Sequence, residues 1–175
     1  MRNVFGIAFL LLFGCATTWA KPCELKMLPE AIQTSLATDY AGWRPVTPNM
    51  LESSDRQTWI DNYSRERPGI IKGRFTDTGE GYVINLLNVK GGKTRQQVVY
   101  FQEHENEYTQ RAILKPQATS IVLVLRLFAP GKYRDLISGQ SLTIATDTIG
   151  LSQIDAGTVV YYWDGAAFRR IVTSE

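Results

Sequence analysis

Histidine occurs once in these 175 residues, at His104, and cysteine only twice, at Cys15 and Cys23. A single imidazole excludes histidine-rich zinc sites and any triad that needs a second one. Spanning a bilayer as a helix takes about twenty apolar residues, and the run from Val4 to Phe13 is half that length. Neither charge sign is in marked excess, with 19 Lys and Arg against 17 Asp and Glu. That balance gives no electrostatic reason to expect nucleic acid or an anionic membrane surface as partner. No serine sits in a G-x-S-x-G elbow, and no Gly-rich turn opens onto a helix as a phosphate cradle. Repeats, low-complexity tracts and interdomain linkers are also missing.

What is there begins with the leader, MRNVFGIAFLLLFGCATTWA. Arg2 is its only charge, an apolar core follows, and small residues lead to Thr18-Trp19-Ala20, an A-x-A-like cleavage site. The expectation is a signal peptide over residues 1–20 and a periplasmic or secreted single domain over residues 21–175. In that form Cys23 is the only cysteine left, which excludes an intramolecular disulfide. An alternative cleavage precedes Cys15, since Leu11-Leu12-Phe13-Gly14-Cys15 resembles a lipoprotein signal. Acylation at Cys15 would anchor the protein to a membrane, with residues 16–24 as a tether.

The mature part divides into a helical first third and a β-rich remainder. Leu28, Ile32 and Leu36 recur at helical spacing, continued by Tyr40, which predicts a helix near 29–40 with Pro29 at its first position and Gly42 as C-cap. A second helix is expected near 54–64, capped from Thr47-Pro48 or Ser53-Ser54-Asp55, with Arg56, Trp59, Ile60 and Tyr63 on one face. From Ile70 the pattern is that of strands. Runs 70–75, 82–87, 96–101 and 108–114 are separated by the turn-forming 76–81, by Gly91-Gly92 and by the polar 103–107. The continuous apolar run Ile121 to Leu125 predicts a strand buried on both faces at the centre of the sheet, with Leu123 in the core. Thr158 to Trp163 and Phe168 to Val172 form a hairpin around Asp164-Gly165, lengthened by Ala166-Ala167. The fold class predicted is α+β: two N-terminal helices packed on a mainly antiparallel sheet of sequential hairpins.

Weighing the chemistry-bearing residues assigns no catalytic group, metal ligand or cofactor. His104 lies among Glu103, Glu105 and Glu107 in what reads as a solvated hairpin loop. Calcium prefers carboxylates at alternating positions before a glycine, but Arg74, Thr76 and Thr78 hold those places before Gly79 and Asp77 is out of phase. Ser138 and Ser141 sit in a loop, and Cys23 has no base nearby. Asp55, Asp61 and Glu103 are the candidates for a small carboxylate-based periplasmic hydrolase, which needs two of them converging in a cleft. Aromatic and arginine side chains are favoured at protein interfaces, so Trp59, Tyr63 and Arg65 are the candidate interface anchors.

Three passages together resemble a group of small exported bacterial α+β proteins: Tyr40-Ala41-Gly42-Trp43; Gly73-Arg74-Phe75-Thr76 followed by Gly81 to Leu87; and Tyr161-Tyr162-Trp163-Asp164-Gly165 closing on Phe168. The resemblance implies the fold, through turns and strand aromatics, and transfers no catalytic residue. The function expected is a non-catalytic cell-envelope protein that binds another periplasmic or secreted protein, inhibitor- or immunity-like. The alternatives are the carboxylate hydrolase and a structural lipoprotein anchored through Cys15. Contact with a membrane is expected only if Cys15 is lipidated.

Overall fold

The computed structural model describes residues 25–105 and 107–173; Cys15, Cys23 and the leader lie outside them. Helix α1 spans Glu30–Thr38 and α2 Ser53–Tyr63. The strands are β1 Arg44–Pro45, β2 Ile70–Thr76, β3 Gly79–Lys90, β4 Lys93–His104, β5 Glu107–Ala118, β6 Val124–Phe128, β7 Gly131–Arg134, β8 Ser141–Ile144, β9 Thr148–Gln153, β10 Gly157–Trp163 and β11 Phe168–Thr173. They make three antiparallel sheets. The first has the order β1-β3-β4-β5, with β2 also on β3; the second is β11-β10-β9-β6; the third is the pair β7-β8. The chain is therefore α+β with mostly antiparallel pairing. Among the described residues no helix is long and apolar enough to cross a membrane.

Helical spacing places Leu28, Ile32 and Leu36 in one buried cluster with Ile70, Ile84, Leu86, Val99 and Phe101. Pro29 stands one position before the expected one, as the N-cap of α1, and its carbonyl accepts from Ile32 and Gln33 at 3.0 Å. The helix stops at Thr38. Gly42, with φ of +82°, serves instead the following turn, which Trp43 N–H closes on the Tyr40 carbonyl at 2.9 Å.

The expected side-chain cap of α2 is absent, because Glu52 holds the N-cap position without such a bond. Arg56 does that tethering instead, donating to the carbonyls of Pro48, Asn49 and Leu51. Consecutive helical residues lie about 100° apart around the axis, so Trp59 and Ile60 diverge: Trp59 is 1% exposed and Ile60 46%.

Strand alternation sorts the core into two faces. Even-numbered residues of β3, Ile84 and Leu86, belong to the α1 cluster. Odd-numbered Val83 joins Phe75, Val98 and Tyr100 with Leu125, Ile149 and Leu151 of the second sheet. Leu87 joins Val46, Leu51, Trp59, Val124 and Ile154. Two burdened faces explain why β3 and β4 read as near-continuous apolar runs. Gly81 is needed between them: a Cβ there would lie 2.4 Å from the Tyr100 ring.

The run Ile121 to Leu125 departs from expectation. Its strand begins only at Val124, and among the described residues β6 stands last in the sheet order, paired with β9 alone. Leu123 is half-buried. Two buried side-chain amides occupy the Leu123 peptide groups. Gln96 Oε1 accepts from Leu123 N–H at 3.2 Å, and the Leu123 carbonyl accepts from Gln96 Nε2 at 2.8 Å and Asn85 Nδ2 at 2.7 Å. Gln96 Nε2 also donates to Asn85 Oδ1 at 2.8 Å. These side chains satisfy Leu123 as a neighbouring strand would, so no ladder forms there. The hairpin β10–β11 does share a sheet with β6, through β9.

Candidate functional site

Three connections converge on a cleft of about 330 Å³. Asp77 enters from the β2–β3 turn, Leu142 to Thr146 from β8 and the segment after it, and Tyr162 to Gly165 from the end of β10. A reciprocal clamp holds the first two together. Asp147 N–H donates to the Arg74 carbonyl at 3.0 Å, and the Asp147 carboxylate accepts from Arg74 N–H at 2.8 Å. Gly73 makes room for it, since a Cβ there would stand 2.9 Å from that carboxylate.

The third wall is built by Asp164. Its carboxylate accepts from Ala166 N–H at 2.9 Å, Ala167 N–H at 2.8 Å and Arg169 Nε at 2.6 Å. The hydrogen bond from Arg169, followed by those two backbone N–H groups, pulls its pKa from 3.8 to about 2. The loop Asp164 to Ala167 is thus a four-residue turn organised by a carboxylate, closing on the pair Trp163 and Phe168.

Aromatic rings lead from the core to this rim. Phe75 meets Tyr100 edge-on at 5.9 Å, Tyr100 meets Phe168 at 5.4 Å, and Phe168 meets Trp163 at 5.4 Å. Arg111 of β5 lies 5.2 Å from the Trp163 ring centre. Burial raises the pKa of Tyr100, against the opposing pull of its Thr76 hydrogen bond and of Arg111. The Thr146 hydroxyl, on a residue lining the cleft, is buried without a hydrogen-bond partner. Asp77 is exposed and lines the cleft together with Tyr162 and Trp163.

This set suits binding better than proton transfer. A general acid needs a carboxyl with a raised pKa, whereas Asp164 is held low and its oxygens are occupied.

The residues singled out from sequence lie elsewhere. Trp59 is corrected from an interface anchor to a core residue at 1% exposure. Tyr63 is half-buried, 5.2 Å from the Trp59 ring and with the Arg126 guanidinium 4.5 Å from its own ring centre. Arg65 alone of the three is exposed. Asp55 and Asp61 are on α2, accepting from Ser54 and Gln57 respectively, while Glu103 is on β4; none of them lines this cleft.

Among the described residues no group of three or more His, Cys, Asp or Glu is placed to hold a metal. In the turn once compared with a calcium loop, Thr76 and Thr78 hydroxyls bond each other at 3.1 Å, and Gln102 donates to Thr78. Sequence reasoning found Asp164-Gly165 as a turn but missed Thr146, which lines the cleft, and Asp147, whose clamp on Arg74 is a contact 73 residues away. No family model, curated protein or solved structure matches the chain.

Proposed function

We propose that this chain is a non-catalytic, exported cell-envelope protein that binds another protein, in the manner of an inhibitor or immunity protein, and that the cleft receives a basic side chain of that partner. The observation that carries this reading is the asymmetry of the two cleft carboxylates. Asp77 is exposed at a cleft that Tyr162 and Trp163 also line, while Asp164 is locked into its own turn. One open carboxylate recognises a cation; it does not make an acid–base pair. The reading takes residues 21–175 as the domain, with the two N-terminal helices lying against the sheets. The shared clusters of Ile32 with Ile84, and of Trp59 with Leu87 and Val124, support that placement.

The test is affinity capture from envelope extract with the parent protein and with Asp77→Asn. A stoichiometric partner is expected, held about two- to fivefold more weakly by the variant, as befits an exposed charge pair. Recovery of no partner, together with turnover in a broad hydrolase screen, would overturn the proposal. Mass spectrometry of the mature N-terminus decides the location: Lys21 as first residue means a periplasmic or secreted protein, and an acylated Cys15 means an anchored one.

A further inference from the structure

We infer that the loop between β7 and β8 is a membrane-contacting finger, which places Leu136 and Ile137 against an anionic lipid surface. Leu136 is 55% exposed and Ile137 81%. Their presentation is built into the backbone. The Asp135 carboxylate accepts from Ile137 N–H at 3.3 Å, Ser138 N–H at 3.1 Å, Ser138 Oγ at 2.6 Å and, from β11, Val172 N–H at 3.1 Å. Leu136 N–H returns a bond to the Val172 carbonyl at 2.8 Å. The six-residue loop is therefore pinned to β11 at two points, with its apolar pair facing solvent.

Cations stand on the two strands that carry and anchor this tip, and Asp135 is the carboxylate within it. Lys132 and Arg134 share one face of β7 by strand alternation, and both are exposed. Arg170 is exposed on β11, two residues from Val172 on the same face. None of the three makes an ion pair among the described residues. These three exposed cations outnumber the one carboxylate of the loop, Asp135.

Lipid fits the tip better than protein does. A stable protein interface takes about 800 Å² from each partner, more than two side chains on a short loop supply. A bilayer demands no matching shape: apolar side chains enter the headgroup boundary while neighbouring cations meet anionic headgroups. The contact is independent of acylation at Cys15.

Vesicle co-sedimentation of the exported protein, in a Cys15→Ser background, tests this directly. The parent is expected to bind mixed phosphatidylglycerol–phosphatidylcholine vesicles, to bind phosphatidylcholine alone poorly, and to release as salt is raised. Leu136→Asp and Ile137→Asp should each lower partitioning by about tenfold or more, and Lys132→Glu with Arg134→Glu should cut it by about fivefold per residue. Melting curves matching the parent show that these exposed variants fold, and the salt and lipid dependence of the parent stands without any variant. Equal partitioning of parent and Ile137→Asp, or no preference for phosphatidylglycerol, would overturn the inference. So would tip variants that keep vesicle binding but lose a protein captured from vesicle-free extract.

Discussion

The β3–β4 hairpin and the segment 119–125 both send apolar side chains into the core, yet they are held in place by different means. The hairpin pairs in unbroken register from Gly81 opposite Gln102 to Lys90 opposite Lys93, through the turn at Gly91 and Gly92. Its backbone groups satisfy one another, so its position depends little on any one polar side chain. Leu123 instead depends on Gln96 and Asn85. A ladder distributes the demand for hydrogen bonds, whereas a side-chain clamp concentrates it on two residues.

Substitutions should separate the two modes, measured as unfolding free energies in denaturant. Leu125→Asp, at a fully buried position of β6, is expected to cost more than about 4 kcal/mol, enough to prevent folding. Gln96→Leu keeps the apolar volume but leaves Leu123 N–H and Asn85 Oδ1 without their partner; we expect about 3 kcal/mol. Leu123→Asp should cost less, about 1 to 2 kcal/mol, because its side chain is half-buried. Thr94→Asp, near the hairpin turn, should stay within about 0.5 kcal/mol. If Gln96→Leu proves as mild as Thr94→Asp, the clamp is not what holds the segment.

Acid sharpens the same contrast at smaller scale. Asp135 and Asp164 each organise a loop by side-chain hydrogen bonds, and each has a pKa lowered from 3.8 to about 2. For Asp135 the leading cause is the Ser138 bond, then the Val172 N–H; for Asp164 it is the Arg169 bond. Because the folded state favours the charged form, this stabilisation is complete above about pH 4 and is lost as pH falls toward 2. Denaturation midpoints across that range should flatten in Asp135→Asn and Asp164→Asn. The β3–β4 ladder, whose bonds are between backbone groups, contributes no such dependence.

The same division marks what the sequence disclosed. The stripe Leu28, Ile32 and Leu36 and the hairpins 70–114 and 158–172 are legible because period and turn chemistry are local signals. Ile121 to Leu125 misled because an apolar run reports burial, not pairing, and Gln96 lies 27 residues away. Trp59 was misplaced for a related reason: an aromatic on a polar helix looks like an anchor until it is seen clustered with Val46, Leu51, Leu87, Val124 and Ile154, none of them on its own helix. The cleft was not legible, since Asp77, Thr146 and Asp164 come to line it from distant parts of the chain.

Strand β5 carries one more consequence. Among the described residues it is an outer strand of twelve residues, paired only with β4, and its ladder slips twice, between the partners of Gln96, Val98 and Val99. Pro116 falls within the first slip and has no N–H to offer. A stray extended chain arriving at this edge finds donors and acceptors at uneven intervals, with Arg111 and Lys115 along the same strand. Fibrils grow where such spacing is regular, and β5, slipped twice in its ladder and carrying Pro116, does not offer that regularity.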